Sequence, residues 1–175
     1  MRRKLFWPAF AFALLVMLAP AASFAKGPAA SWRQATKSEL HTYLPARAPV
    51  VKERIETEMP AASGIINDKD QFIGGVVLIT AGYSADGKYS HYFLSQVPIK
   101  VGHLKLPAGQ YILGYVRHGD KLEVKFYEAI SGRQVGDVTA KLDRTTHGVY
   151  AFKIWPPKTH SLMQIGRFIF PYHIE

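Results

Sequence analysis

The chain has 175 residues, 48% of them hydrophobic and 20% charged, with a formal net charge of +9. That length carries one domain with a proper core but not two comfortable ones, and the composition excludes a disordered chain. There is no cysteine, which excludes disulfide frameworks, thiolate metal sites, cysteine nucleophiles and acylation of an N-terminal cysteine.

Arg2, Arg3 and Lys4 precede the apolar run Phe6 to Leu18, and Ser23-Phe24-Ala25 forms a small-x-small site before Lys26. This is the pattern of a cleaved signal peptide over residues 1–25. The apolar run falls short of the roughly 20 residues that a membrane-spanning helix needs. A mature form without a transmembrane anchor, periplasmic or secreted, is therefore expected. Arg2-Arg3 fits twin-arginine export loosely, so an ordinary secretory route comes first. Three of the 22 Lys and Arg lie in the signal, leaving 19 against 13 acidic residues, a net +6. These cations are scattered along the chain, so a solvated surface is expected and nucleic acid is not an expected partner.

Residues 26–62 read as a lead segment with short helices. Thr36-Lys37-Ser38-Glu39 offers N-cap candidates and an early acidic residue before Leu40, Tyr43 and Leu44, predicting a short helix that ends at Pro45. Val51, Ile55 and Met59 recur every four residues among charged neighbours, which predicts a second helix stopped by Pro60. The alternation Arg54-Ile55-Glu56-Thr57 leaves a strand open there.

Residues 63–175 read as β throughout. The most apolar stretch of the mature chain, Phe72 to Val97, is predicted to be a central hairpin. Val76, Val77, Ile79 and Thr80 favour a pleated surface, and Asp86-Gly87 supplies the positive φ of a two-residue loop. A second hairpin is predicted across His118-Gly119, pairing Arg117 with Asp120 and setting Tyr115, Leu113 and Tyr111 against Leu122, Val124 and Phe126 in that order. Ser131-Gly132, Thr146-His147-Gly148 and Pro156-Pro157-Lys158 punctuate further strands near 133–142, 149–155 and 162–172. About eight or nine short strands without helical crossovers predict an antiparallel β-sandwich, preferred over a closed barrel because the strands are short and uneven.

The run Lys105-Leu106-Pro107-Ala108-Gly109-Gln110-Tyr111-Ile112, followed by the strand Lys121-Leu122-Glu123-Val124-Lys125-Phe126-Tyr127, resembles the "LPAGxY" hairpin of uncharacterised secreted bacterial β-sandwich proteins and of prealbumin-like domains. The resemblance covers about 25 residues. It implies the sandwich architecture and carries over no site residues.

Local catalytic signatures are missing. Gly82 to Lys88 satisfies GxxxxGK, but Tyr89 follows where Ser or Thr should hold Mg²⁺, and a strand is expected next instead of a helix. Gly82-Tyr83-Ser84-Ala85-Asp86 misses the GxSxG elbow at Asp86. Ser84 with a distant histidine and acid remains the only serine-based arrangement to consider. The seven histidines, His41, His91, His103, His118, His147, His160 and His173, show neither HxH nor HExxH. His91 and His103, flanking one bend, are the nearest to a metal pair. Glu123, Glu128, Asp137 and Asp143 show no convergent carboxylate pattern. No catalytic, metal or cofactor-binding residue and no cofactor is therefore predicted.

Tyr83, Tyr89, Tyr92, Tyr111, Tyr115, Tyr127, Tyr150, Trp155 and Tyr172 supply either a stacking platform or ordinary cross-strand packing, packing being the first expectation. The functional expectation is an exported non-catalytic module that binds a glycan, an envelope component or a protein partner. The alternative is a small periplasmic hydrolase or metal-dependent enzyme with dispersed site residues.

Overall fold

The computed structural model describes residues 30–80, 82–145, 148–157 and 160–175. The expected signal peptide lies outside them. In chain order the elements are β1 (Trp32–Gln34), α1 (Lys37–Tyr43), β2 (Arg47–Val50), β3 (Glu53–Asn67), β4 (Phe72–Leu78), α2 (Gly82–Ala85), β5 (His91–Ser95), β6 (Ile99–Val101), β7 (Leu104–Leu106), β8 (Gly109–His118), β9 (Lys121–Glu128), β10 (Gln134–Leu142), β11 (Tyr150–Ile154), β12 (Leu162–Gly166) and β13 (Phe168–Ile174). Every pairing is antiparallel, and ten strands follow one path, β1-β3-β4-β5-β8-β9-β10-β13-β12-β11. The path curls into a half-barrel, so its last strand, β11, packs over β3 and β4. Strands are more numerous than the eight or nine expected, and the two layers come from one sheet bent over itself. Among the described residues no helix is long and apolar enough to cross a membrane.

Both faces of this sheet carry a core, because β3, β4, β5 and β8 bury residues of both parities. Inside the curl, Ile65, Ile73, Phe93, Leu113, Val124 and Phe126 meet Phe152, Ile154, Met163 and Phe170 from the strands that fold over them. Ile99, Val101 and Leu106 of the β6–β7 hairpin close one end, and β6 is tied to β13 through Tyr172↔Val101. Outside, Ile66, Phe72, Val76, Tyr92 and Ile112 are covered by Leu44, Ala48 and Val50 of the lead segment, with the Tyr43 ring stacked on Phe72 at 4.7 Å.

Helix α1 is where the sequence places it. Thr36 accepts from the Glu39 amide while Glu39 reaches back to the Thr36 amide, a complete capping box. The second predicted helix is instead the start of β3, hairpinned to β2 through Val50↔Glu53. A spacing of four is two strand periods as well as about one helical turn, and the charged residues alternating with Ile55 and Thr57 settle the ambiguity toward the strand. The pairing with β4 slips between Glu58 and Ser63, and the alternation changes phase across that slip. Ile55 and Met59 pack outward with Ala62, whereas Ile65 turns inward. Pro60, which has no N–H to give a ladder, sits in the slipped stretch.

The arms of the central hairpin do pair, through Val77↔His91, but Asp86-Gly87 is not their two-residue loop. The chain between Leu78 and His91 makes the short turn α2 and folds back over the outer face of β8. Gly114 allows this approach, since a Cβ there would lie 1.6 Å from the Lys88 carbonyl oxygen. Gly87 does take a positive φ of +66°. The β8–β9 hairpin also differs, turning at Gly119-Asp120 with His118↔Lys121 and Arg117↔Leu122. A shift of two residues leaves every side chain on its expected face.

Candidate functional site

With one end of the curl plugged by β6–β7, the other end is a concave mouth of about 290 Å³. Its wall runs round the strands: Val77 from β4, His91 from β5, Tyr115 and Arg117 from β8, Leu122 from β9, Phe168 from β13 and Ile165 from β12. Alternation explains the set. Tyr111, Leu113, Tyr115 and Arg117 share the inner face of β8, and the last two stand beyond the packed core, where the strand runs out to the open rim.

Among the described residues Arg117 is the one cationic side chain in this wall. Its guanidinium carbon lies 5.4 Å from the Phe168 ring centroid and its Nε donates to the Gly119 carbonyl at 3.0 Å. No carboxylate among the described residues pairs with it. The site is thus an apolar cup with a guanidinium at its edge, a combination suited to holding an anionic group by charge-assisted hydrogen bonds.

His91 lies at the inner side of the mouth, 3% exposed, with the Tyr115 and Phe152 rings 5.9 and 5.8 Å away. Its Nε2 is 3.1 Å from the Ala151 carbonyl oxygen, which can only accept, so Nε2 carries the proton. Nδ1 then accepts from the Ser90 hydroxyl at 2.9 Å. Burial lowers the His91 pKa to about 4, against a smaller opposing effect of the Ala151 hydrogen bond. The neutral ring ties β5 to the backbone of β11, across a seam where the two strands share no ladder.

This Ser–His contact is not laid out as a hydrolytic pair. Ser90 is itself buried, its Oγ lies 3.0 Å from the Leu113 carbonyl, and the far nitrogen of the imidazole meets a backbone oxygen instead of a carboxylate. The Ser84 side chain lies outside the described residues. Both His91 nitrogens face protein partners, and His103 is exposed in the β6–β7 turn. Among the described residues no three His, Asp or Glu are grouped to hold a metal ion. The carboxylates are engaged apart from one another: Glu123 with His118 and Lys125, Glu128 with Ser131 and Arg133, Asp143 with Thr145. The GxxxxGK segment leads through α2 into β5, so no long helix follows it.

The aromatic residues separate into several places. Tyr111 and Tyr172 are buried within the curl, and Tyr92 under the lead segment. Tyr83, Tyr89 and Tyr127 form a row with centroid spacings of 5.1 and 5.4 Å. Tyr150 and Trp155 meet edge to face at 5.9 Å, with the Lys153 ammonium over both rings. The mouth itself was not singled out in the sequence. Its signal is the alternation of β8 continued one step too far, which carries a charged residue, Arg117, onto an apolar face. No protein-family profile, curated protein or solved structure matches the chain.

Proposed function

We propose that the protein is an exported, non-catalytic binding module that holds a small apolar ligand with a carboxylate in the mouth of the half-barrel. The observation that carries this reading is Arg117, unpaired among the described residues, at the rim of a cup walled by Val77, Leu122, Ile165 and Phe168. Barrel mouths are common ligand sites, and about 300 Å³ is the low end of their range, which suits a ligand of short-chain size. In this reading the curl supplies the two-layer container expected of a sandwich, and the turn at Pro107-Ala108-Gly109 belongs to its closed end. The pattern of Met1 to Ala25 supports export.

Titration with hexanoate and octanoate, followed by calorimetry, tests the proposal. Binding is expected to weaken about tenfold in Arg117→Gln, the equivalent of about 1.4 kcal/mol, and to vanish in Val77→Trp, which fills the cup. Equal binding of hexanol and hexanoate, or carboxylate binding indifferent to both substitutions, overturns it.

A further inference from the structure

β5 has a second use. His91 faces the mouth, and the next residue, Tyr92, faces the opposite side of the sheet. There the lead segment stops short of covering β5 and β8 completely, leaving an open cup of about 560 Å³. Leu44, Pro45, Leu94 and Ile130 give it apolar walls, and His41, Arg54, Tyr92 and Gln110 bring polar groups to it.

Tyr92 is 3% exposed, and a tyrosine buried to that degree usually finds a partner for its hydroxyl. The Tyr92 hydroxyl hydrogen-bonds no described residue and is not among the fully enclosed polar atoms that lack a partner, so it keeps access to the cup that the residue lines. Burial pushes the phenol up to about 12, so it stays a neutral donor, while Arg54 acts in the opposite direction from close by. Arg54 forms no ion pair among the described residues. A second arginine stands beside it, since Arg47 Nη2 donates to the Arg54 carbonyl at 3.2 Å. Among the described residues the exposed Gln110 side chain has no hydrogen-bond partner and no Asp or Glu lines the cup.

A cation, a neutral hydroxyl open to the cup and an exposed amide thus stand round a pocket of mixed polar and apolar lining, to which no described Asp or Glu contributes. We propose that this cup is a second ligand site, separate from the mouth, that binds the oxyanion of a small organic acid or phosphate ester. Arg54 supplies the charge, Tyr92 and Gln110 donate neutral hydrogen bonds, and Leu44, Leu94 and Ile130 receive the apolar part. Carboxylate and phosphate share the chemistry that these donors read.

The test uses the folded mature chain, ¹⁵N-labelled, with benzoate, phenyl phosphate and neutral benzamide as probes. Benzoate or phenyl phosphate is expected to shift the amides of Leu94 and Gln110, and the stronger of the two tells which oxyanion the cup prefers. Tyr92→Phe removes a hydroxyl that bonds no described residue, so its melting temperature is expected to be unchanged while affinity falls at least fivefold. Arg54→Gln is expected to lower it at least tenfold, and Arg117→Gln to leave it unaltered, which keeps this site distinct from the mouth. Benzamide binding as well as benzoate, no shift from either anion at 10-fold excess over millimolar protein (~10 mM), or full binding in Tyr92→Phe and Arg54→Gln each overturns the proposal.

Discussion

His91 brings a neutral imidazole into the core, and its protonation there has a cost whose sign can be worked out. The ring titrates near 6.5 when unfolded and near 4 when folded, so between these values the unfolded chain holds more protons and stability falls as pH falls. The contribution is complete above about pH 6.5 and is lost toward pH 4, on the order of 3 kcal/mol in all. Urea titrations between pH 7.5 and 4 are expected to show this decline, and His91→Gln to flatten it. Glu39, held at about 2 by Arg33 and by the Thr36 cap, acts only below about 4.5 and overlaps that window only at its acid end. A second expectation concerns neighbours on β9. Phe126 is fully buried and Lys125 is not. Phe126→Ala is expected to cost about 3 to 5 kcal/mol and Lys125→Ala no more than about 0.5; equal losses in chemical denaturation contradict the strand's alternation. That alternation was legible in the sequence because period two persists whatever the strand's partner. The roles of Arg117 and Tyr92 were not, since each depends on what the neighbouring strands leave uncovered.

The segment between β4 and β5 shows what single elements contribute. Gly87 combines a φ of +66° with space so tight that a Cβ would meet Val116 at 2.6 Å and the Tyr115 carbonyl oxygen at 3.0 Å. Gly87→Val is therefore expected to lower stability by about 2 to 4 kcal/mol, strain and clash together. Lys88→Ala, at an exposed side chain, is expected to change it by less than about 0.5. Gly114→Ala probes the other side of the same contact and is expected to lift the whole segment off β8, read as faster hydrogen exchange across 79–90. A two-residue loop was the natural expectation from Asp86-Gly87. What overrode it is a distant glycine that lets a backbone lie flat against the sheet, and nothing local to the loop announces that. The capping box of α1 was legible for the opposite reason, being complete within four residues. The β8–β9 hairpin stands between these cases: its faces were readable, while its register came out two residues away because Gly119, at a φ of +61°, is the residue that takes the turn together with Asp120.

Over the whole molecule, one sheet bears two cores, so its middle strands are shared property. Phe72 lies on the outer face and Phe126 on the inner, yet each is backed by β4, β5 or β8. Both Phe72→Ala and Phe126→Ala are expected to lower a single melting transition that circular dichroism and tryptophan fluorescence report at the same midpoint; two separated midpoints contradict a common sheet. The β content and antiparallel sense were legible from turns and missing crossovers, but the strand order was not, because it depends on pairings far apart in the chain. The most distant of these involve β13, which lies between β10 and β12 and also pairs with β6. Without it the sheet falls into three pieces, an open array from β1 to β10 and two lone hairpins, β6–β7 and β11–β12. The joining strand is the last of the thirteen described strands in chain order. A chain truncated before Phe168 is therefore expected to stay protease-sensitive over the inner face of β8 to β10, its hydrophobic surface open to aggregation until the joining strand closes the sheet.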